Sequence, residues 1–205
     1  MSKEGNCETC GHWDDNLVEG MCSECNEKYF NDDSYKVIGI AGPAHCGKDT
    51  AADYLLKHLT SYNKASFADP MKTMLGVGLG LTKEQLYGDQ KEAPDSRYGC
   101  SPRHMMQTIG TEWGRNLIDP DIWVKAMEHH IHVHTIIPDV RFENEAAFIR
   151  DRGMLIHIVG RDQDIGSNHT SEAGVEITSD DTIIVNDGSL GVMYKQLNAI
   201  VDCLK

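Results

Sequence analysis

The stretch VIGIAGPAHCGKDTAADYLL, Val37 to Leu56, leaves the chain little choice of fold. A short β-branched, apolar run breaks at Gly42, and after a second glycine at Gly47 a new pattern begins. Ala52, Leu55, Leu56 and Leu59 then recur at helical spacing. A buried strand that turns into a helix through a short glycine loop needs parallel partners and cover on both faces. The rest of the chain keeps the alternation. KASFA reads as a second strand, and Asp69 and Pro70 read as the cap and first position of a helix through MKTMLGVGL. A looser polar region follows from Leu81 to Ser101. Ser101 and Pro102 open a helix carrying RHMMQTIGTEWGRNLI, and Asp119 and Pro120 open another carrying DIWVKAMEHH. HTIIPDV and MLIHIVG are strands on either side of a helix ENEAAFIRDRG, with Gly153 as its C-cap. DTIIVND is a last strand, and LGVMYKQLNAIVDCL an amphipathic closing helix. The expected class is α/β, a three-layer fold with a parallel sheet between helices.

The loop itself carries chemistry. Gly42 and Gly47 stand five apart, Lys48 follows directly, and the segment joins a buried strand to a helix. In that setting backbone N–H groups and the helix N-terminus wrap a phosphate, while Lys48 bridges β- and γ-phosphate oxygens. Asp49 stands where such loops carry the serine or threonine that serves Mg²⁺. A carboxylate can still serve the ion, directly or through water. Thr50 is then free to donate its hydroxyl to a phosphate.

The formal net charge of −13 over 205 residues argues against a sequence-independent grip on DNA or RNA. Small anionic ligands fit better, and all seven arginines lie between Arg97 and Arg161. No apolar run is long enough for a membrane span, and MSKEGNCETC lacks the apolar core of a secretory signal, so a cytoplasmic protein is expected. Four of the seven cysteines fall in the first 25 residues, as two C-x-x-C pairs, Cys7 with Cys10 and Cys22 with Cys25. That spacing suits four thiolates on one structural Zn²⁺ in a small zinc ribbon; two disulfides or a redox pair are the alternatives. The eleven residues between the pairs suffice for a hairpin but not for a core. His12 reads as exposed rather than as a ligand. Residues 1–35 hold nine acidic and two basic residues, which favours a stabilising or protein-contact role for the knuckle. The domains expected are 1–33, zinc-ribbon-like, and 34–205, carrying the phosphate loop.

The segments GKDTAADYL, FADPMK, MQTIGTEWGRNLIDPDIWV, PDVRFENEAAFIRDRG and HTSEAGV, taken in order, resemble the deoxynucleoside monophosphate kinases of tailed bacteriophages. The likeness runs from about Tyr35 to the C-terminus and omits the zinc knuckle. It implies a P-loop kinase fold with a movable lid. It also implies transfer of the γ-phosphoryl group of ATP to a deoxynucleoside 5′-monophosphate with Mg²⁺. The GKDT form accounts for Asp49. The bases accepted and the oligomeric state, homodimer included, stay open.

Phosphoryl transfer asks for cations around the phosphates and acids for Mg²⁺ and the acceptor. Asp139 and Arg141 follow an apolar run, at the carboxyl end of a strand, and are expected to support Mg²⁺ through water and to clamp the acceptor phosphate. A helix-capping aspartate and a surface arginine are the plain alternative. Arg103 and Arg115 are included for the transferring phosphoryl group by resemblance. Asp69, after the second strand, and Lys72 are expected on the acceptor side, although a cap alone would explain Asp69. Trp113 and Trp123 are candidate walls for the acceptor, against an ordinary core role. Trp123, in DIWV, is the better of the two. Arg161 ends MLIHIVG and is placed on adenine or phosphate. His169, Ser171 and Glu172 close the site by resemblance, with Glu172 on the acceptor. The histidines from His129 to His134 read as structural. A P-loop kinase with another small acceptor, of the dephospho-coenzyme A kinase kind, and a zinc-dependent binding module with a non-catalytic nucleotide site are the rival functions.

Overall fold

The protein was analysed as a computed structural model, which describes residues 3–6, 13–17, 36–43, 45–160, 175–186 and 189–204. Strands β1 (Lys3–Asn6) and β2 (Trp13–Leu17) pair antiparallel, with Asn6 opposite Trp13. This hairpin spans the first C-x-x-C rather than lying wholly between the two pairs. Cys7, Cys10, Cys22 and Cys25 themselves lie outside the described residues.

The main sheet is parallel, five-stranded, in the order β4-β5-β3-β6-β7. Its strands are β3 (Val37–Ala41), β4 (Asn63–Lys64), β5 (Thr135–Val140), β6 (Gly153–Gly160) and β7 (Thr182–Asn186). Two separate clusters cover its faces. Ile38, Ile40 and Ile156 pack against α1 (Lys48–His58) and α7 (Leu190–Leu204) through Leu55, Met193 and Leu197. Val37, Ile137 and Leu155 pack against α5 (Ile122–Glu128) and α6 (Glu143–Arg152) through Met127, Phe148 and Ile149. Burial of strands on both faces is why they read as continuous apolar runs. The outer edge of β7 is closed by a side chain: Gln196 accepts from Val185 N (3.1 Å) and donates to Val185 O (3.0 Å), which blunts an exposed strand edge.

Between β4 and β5 the chain makes a helical excursion with its own core of Met71, Leu75, Leu81, Leu86, Met105 and Trp123. It comprises α2 (Asp69–Leu79), α3 (Lys83–Tyr87), α4 (Pro102–Gln107) and a π-helical continuation over Thr108–Ile118. The looser region expected from Leu81 to Ser101 contains α3, opened by a Thr82–Gln85 capping box. The region is ordered by Asp95, which accepts from Arg97 N, Arg97 Nε and Gln85 Nε2. Arg97 in turn donates to the carbonyls of Leu79 and Gly80. This is a polar network around one buried carboxylate, with no periodicity to betray it. Where an α-helix was expected through GTEWGR, the ladder widens: Asp119 N donates to Gly114 O, five residues back. The cause is local. Gly114 lets Trp123 press on the helix, where a Cβ would stand 2.8 Å from the indole, and Trp123 Nε1 donates to Gly110 O at 2.8 Å.

Gly153 stands at the C-cap of α6, as expected, though not in the left-handed form. It is also the first residue of β6, in extended conformation, and an added Cβ would sit 2.1 Å from Val37 O, so close strand approach requires it.

Candidate active site

The first strand of the parallel sheet, β3, sits at its centre, and the chain leaves toward β4 on one side and later returns to β6 on the other. Such a reversal opens a crevice beyond the carboxyl ends of the strands. The loop after β3 and the turn after β5 both stand there, because Ala41 and Val140 are register partners.

The loop's two glycines are required by the backbone. Gly42 has φ 145°, and a Cβ there would meet Ile158 O at 2.5 Å and Cys46 Sγ at 2.8 Å. Gly47 has φ 103°. Both fall where L side chains are strained. Lys48, the first residue of α1, folds its ammonium back over the loop, donating to Gly42 O (2.8 Å) and Pro43 O (2.5 Å). Asn186, at the end of β7, braces the loop by donating to Cys46 O at 2.8 Å. Burial pushes the Cys46 thiol up, against the pull of Lys48. Asp49 is exposed on the first turn of α1, 3.5 Å from Lys64, beside Thr50.

On β5 the register slips by one residue, so that Pro138 and Asp139 together stand opposite Ile40. A bulge of this kind re-aims a side chain, and proline, which has no N–H to give the ladder, sits in it at no cost. Asp139 Oδ2 accepts from Ser66 Oγ at 2.5 Å, whereas its Oδ1 is buried with no hydrogen-bond partner. Burial drives the Asp139 carboxyl up, opposed by Ser66, Arg141 and Lys72. Ser66 also accepts from Ala68 N (3.1 Å), and its own N–H donates to Asp69 Oδ2 (2.8 Å). The cap expected of Asp69 is thus a link back to the β4–α2 turn from the first helical position. Tyr87 donates to Asp69 Oδ1 at 3.2 Å, and Lys72 lies 4.1 Å over the Tyr87 ring, its pKa lowered by burial. An open hollow of about 510 Å³ adjoins them, lined by Lys83, Glu84, Tyr87 and Gly88.

The arginines divide. Arg141 is exposed just past β5. Arg103 is exposed on α4 and pairs with Glu92. Arg115 is turned inward: Nη2 donates to the buried Glu145 at 2.6 Å, Nη1 to Pro120 O at 3.2 Å, and the guanidinium lies 3.9 Å over Phe142. Trp123 is 4% exposed, in the core of the helical excursion, instead of lining an acceptor wall. Trp113 is partly exposed. His134 stacks on Tyr62 and accepts from Lys36 N, a structural use. Arg161, His169, Ser171 and Glu172 lie outside the described residues.

Ser66, Glu145, Tyr87 and Asn186 were not singled out from the sequence. Only Glu145 left a signal there, as the third residue of a helix opened by a residue that cannot cap. Among the described residues no group of three or more His, Cys, Asp or Glu is placed to hold a metal ion, and no helix is long and apolar enough to cross a membrane. The four cysteines of the expected zinc site lie outside those residues, and that site rests on their spacing.

Comparison with known proteins supplies the family. Residues 91–197 match the family described as deoxynucleotide monophosphate kinase. A putative deoxynucleotide monophosphate kinase of Acanthamoeba polyphaga mimivirus is 37% identical over 187 residues, covering 81% of this chain and 96% of that one. The deoxynucleoside-5′-monophosphate kinase of Escherichia phage T5 is 36% identical over 109 residues, 46% of this chain and 43% of its own length. Among solved structures, a dephospho-CoA kinase from Campylobacter jejuni aligns with a TM-score of 0.45 at 14% identity, covering 82% of this chain and 96% of that one. With a full-length relative and a family match over half its residues, the chain belongs to the deoxynucleotide monophosphate kinase family.

Proposed function

We propose that the protein transfers the γ-phosphoryl group of ATP to a deoxynucleoside 5′-monophosphate, giving the diphosphate and ADP. The observation that carries this reading is the pairing, on adjacent strands, of the Gly42–Lys48 cradle with the bulged Asp139 and the exposed Arg141. An acceptor phosphate oxygen attacks the γ-phosphorus in line, the bond to the β–γ bridging oxygen breaks, and ADP leaves with the electron pair. A monophosphate with a second pKa of about 6 needs no strong base, so the protein's work is positioning and charge neutralisation. In this reading Gly42, Gly47 and Thr50 hold the ATP phosphates and Lys48 follows the transferring group. Arg141 clamps the acceptor phosphate, Arg103 assists from α4, and Asp69 and Lys72 face the acceptor. Arg161 and Glu172 are assigned to ATP and acceptor by the sequence alone.

Mg²⁺ fits the carboxylate end of β5, where Asp139 Oδ1 is a buried oxygen without a partner, with Asp49 as a second, exposed carboxylate. Held by Asp139 and Asp49, the ion would supply charge neutralisation to the ATP phosphates. Cys7, Cys10, Cys22 and Cys25 have the spacing for a structural zinc in residues 1–33, ahead of a kinase domain over 34–205. Metal analysis of the chain purified without tags should then find one zinc per protein, lost on Cys22→Ser. A cytoplasmic site of action, where nucleotides are abundant, follows from the proposed chemistry.

The test is ADP release from ATP and Mg²⁺ with each deoxy- and ribonucleoside monophosphate in turn, with Lys48→Ala as control. Turnover with deoxynucleotides, lost in the variant, is expected. Turnover only with dephospho-coenzyme A would move the acceptor, and none with any acceptor would leave a binding module.

A further inference from the structure

The turn between β5 and α6 is held by an arrangement that helix capping does not require. The chain leaves β5 at Val140 and enters α6 at Glu143, so Phe142 occupies the cap position and offers no side-chain acceptor. Glu145 reaches back instead: Oε2 accepts from Phe142 N (3.2 Å) and also from Arg141 N (2.8 Å). The first bond is half of an ordinary capping box. The second lies beyond it and fixes the backbone of the residue that carries the exposed guanidinium. Capping glutamates are commonly solvated, yet the Glu145 side chain is 3% exposed and its Oε1 takes a charged partner, Arg115, from thirty residues earlier. Burying an ion pair costs desolvation that a serine at position 142 would avoid. The same turn is fastened a second time, because Asn144 Nδ2 donates to Asp121 Oδ1 (2.8 Å) and Pro120 O (3.1 Å). Three segments, the π-helix, the start of α5 and the β5–α6 turn, are thereby tied together at the turn that carries Arg141.

We propose that Glu145 is a positioning residue for the acceptor-phosphate clamp: its carboxylate, oriented by Arg115, sets the backbone at Arg141 and Phe142 so that the Arg141 guanidinium leaves β5 in one direction. This rests on the kinase reading above, in which Arg141 meets the acceptor phosphate. Arg115 then acts through Glu145 and not on the transferring group.

The experiment uses the full chain and reads KM for the acceptor, KM for ATP, and hydrogen exchange at the Arg141 and Phe142 amides. Glu145→Gln should raise the acceptor KM by about tenfold, leave the ATP KM within about twofold, and speed exchange at both amides. Added to Arg141→Ala it should cost nothing further, because a positioning residue acts only through the group it positions. A structural role alone predicts equal changes in both KM values and effects that multiply with Arg141→Ala, and either result overturns the inference. If Glu145→Gln does not fold, Arg115→Lys decides on the same readouts: faster exchange at the two amides with a raised acceptor KM supports it, and an unchanged acceptor KM overturns it. A wild-type chain that phosphorylates no monophosphate sinks the kinase reading and this inference together. Turnover in the wild type with unaltered acceptor KM in the variant sinks the inference alone.

Discussion

Asp139 and Asp181 stand at opposite ends of one parallel sheet, the first at the carboxyl end of β5 and the second just before the amino end of β7, and their surroundings differ in kind. Asp181 accepts from Arg150 Nε (2.9 Å), Arg150 Nη2 (2.8 Å) and Thr178 N (2.8 Å), with His157 Nε2 at 3.2 Å. Arg150 also bonds Glu143 and the Glu176 carbonyl, so the network ties the segment ahead of β7 to α6. Burial alone would raise this carboxyl; Arg150 and the Thr178 amide hold it down to about 2. Asp139 has one partner, Ser66, and an oxygen with none, and burial raises it. One aspartate spends its lone pairs inside the fold and stabilises it. The other keeps one in reserve, at a cost to stability, at the end of the sheet where ligands bind.

Asp139→Asn should break the comparison most visibly. Phosphoryl transfer is expected to fall by about 10²–10³, the size seen when a preorganised charge-stabilising group is removed. The melting temperature should hold or rise, since a poorly paired buried charge is gone. Steady-state ADP release and a thermal melt on the same sample check both halves; a lower melting temperature would show that Asp139 is structural after all. Asp181→Ala should do the reverse. Leaving Arg150 and His157 without their acceptor should cost about 3 kcal/mol, or roughly 6–12 °C for a chain of this size. Activity per folded molecule well below the melt should stay within about twofold.

The same pair predicts the acid limb of stability. Asp181 has a folded pKa of about 2, below its unfolded value of about 3.9, so its contribution is fully present above the unfolded value and is lost as pH falls through the folded one. The linked loss is about 2 kcal/mol between roughly pH 4 and 2. His157, lowered mainly by burial, acts in the same direction at higher pH, being most favourable when neutral. Asp139 and Glu145, both raised, carry the opposite sign: each penalises the fold when ionised, and the penalty lifts on acidification. Urea titrations across pH should show a flatter acid limb in Asp181→Asn and a steeper one in Asp139→Asn. Parallel limbs would mean that the two carboxyls share one environment.

Much of this was legible in the residues. The strand–glycine–helix grammar of VIGIAGPAHCGKDT placed β3, its loop and α1, and apolar runs placed β5, β6 and β7, because buried parallel strands and glycine loops are written in local composition. What was not legible depends on distant partners. KASFA was a strand by composition, yet the strand is only Asn63–Lys64, with one further bond from Ala65 N to Ile136 O, and the chain then turns at Phe67 and Ala68, presenting Ser66 to a residue 73 positions away. The helix through GTEWGR was legible as a helix but not as a π-helix, because the indole that widens it belongs to Trp123. Arg115 and Arg141 look alike in sequence. Burial beside Glu145 separates them.

Ser66 offers the smallest perturbation and the sharpest. A serine hydroxyl has one proton to give, and here its oxygen already accepts from Ala68 N, so the proton is directed to Asp139 Oδ2. That bond settles which carboxylate oxygen is engaged and leaves Oδ1 for a ligand. Ser66→Ala should therefore leave the fold nearly as stable but let the carboxylate turn. A hydrogen bond to a charged group is worth about 1.5 kcal/mol or more, which sets the expected loss at roughly tenfold in turnover at low Mg²⁺. Saturating Mg²⁺ should recover part of it, because the ion can reselect the productive orientation. Ser66→Thr keeps the hydroxyl and should recover most. A Ser66→Ala enzyme with wild-type Mg²⁺ dependence would mean that the bulge at Pro138 aims Asp139 unaided, and that the open oxygen owes nothing to its one neighbour.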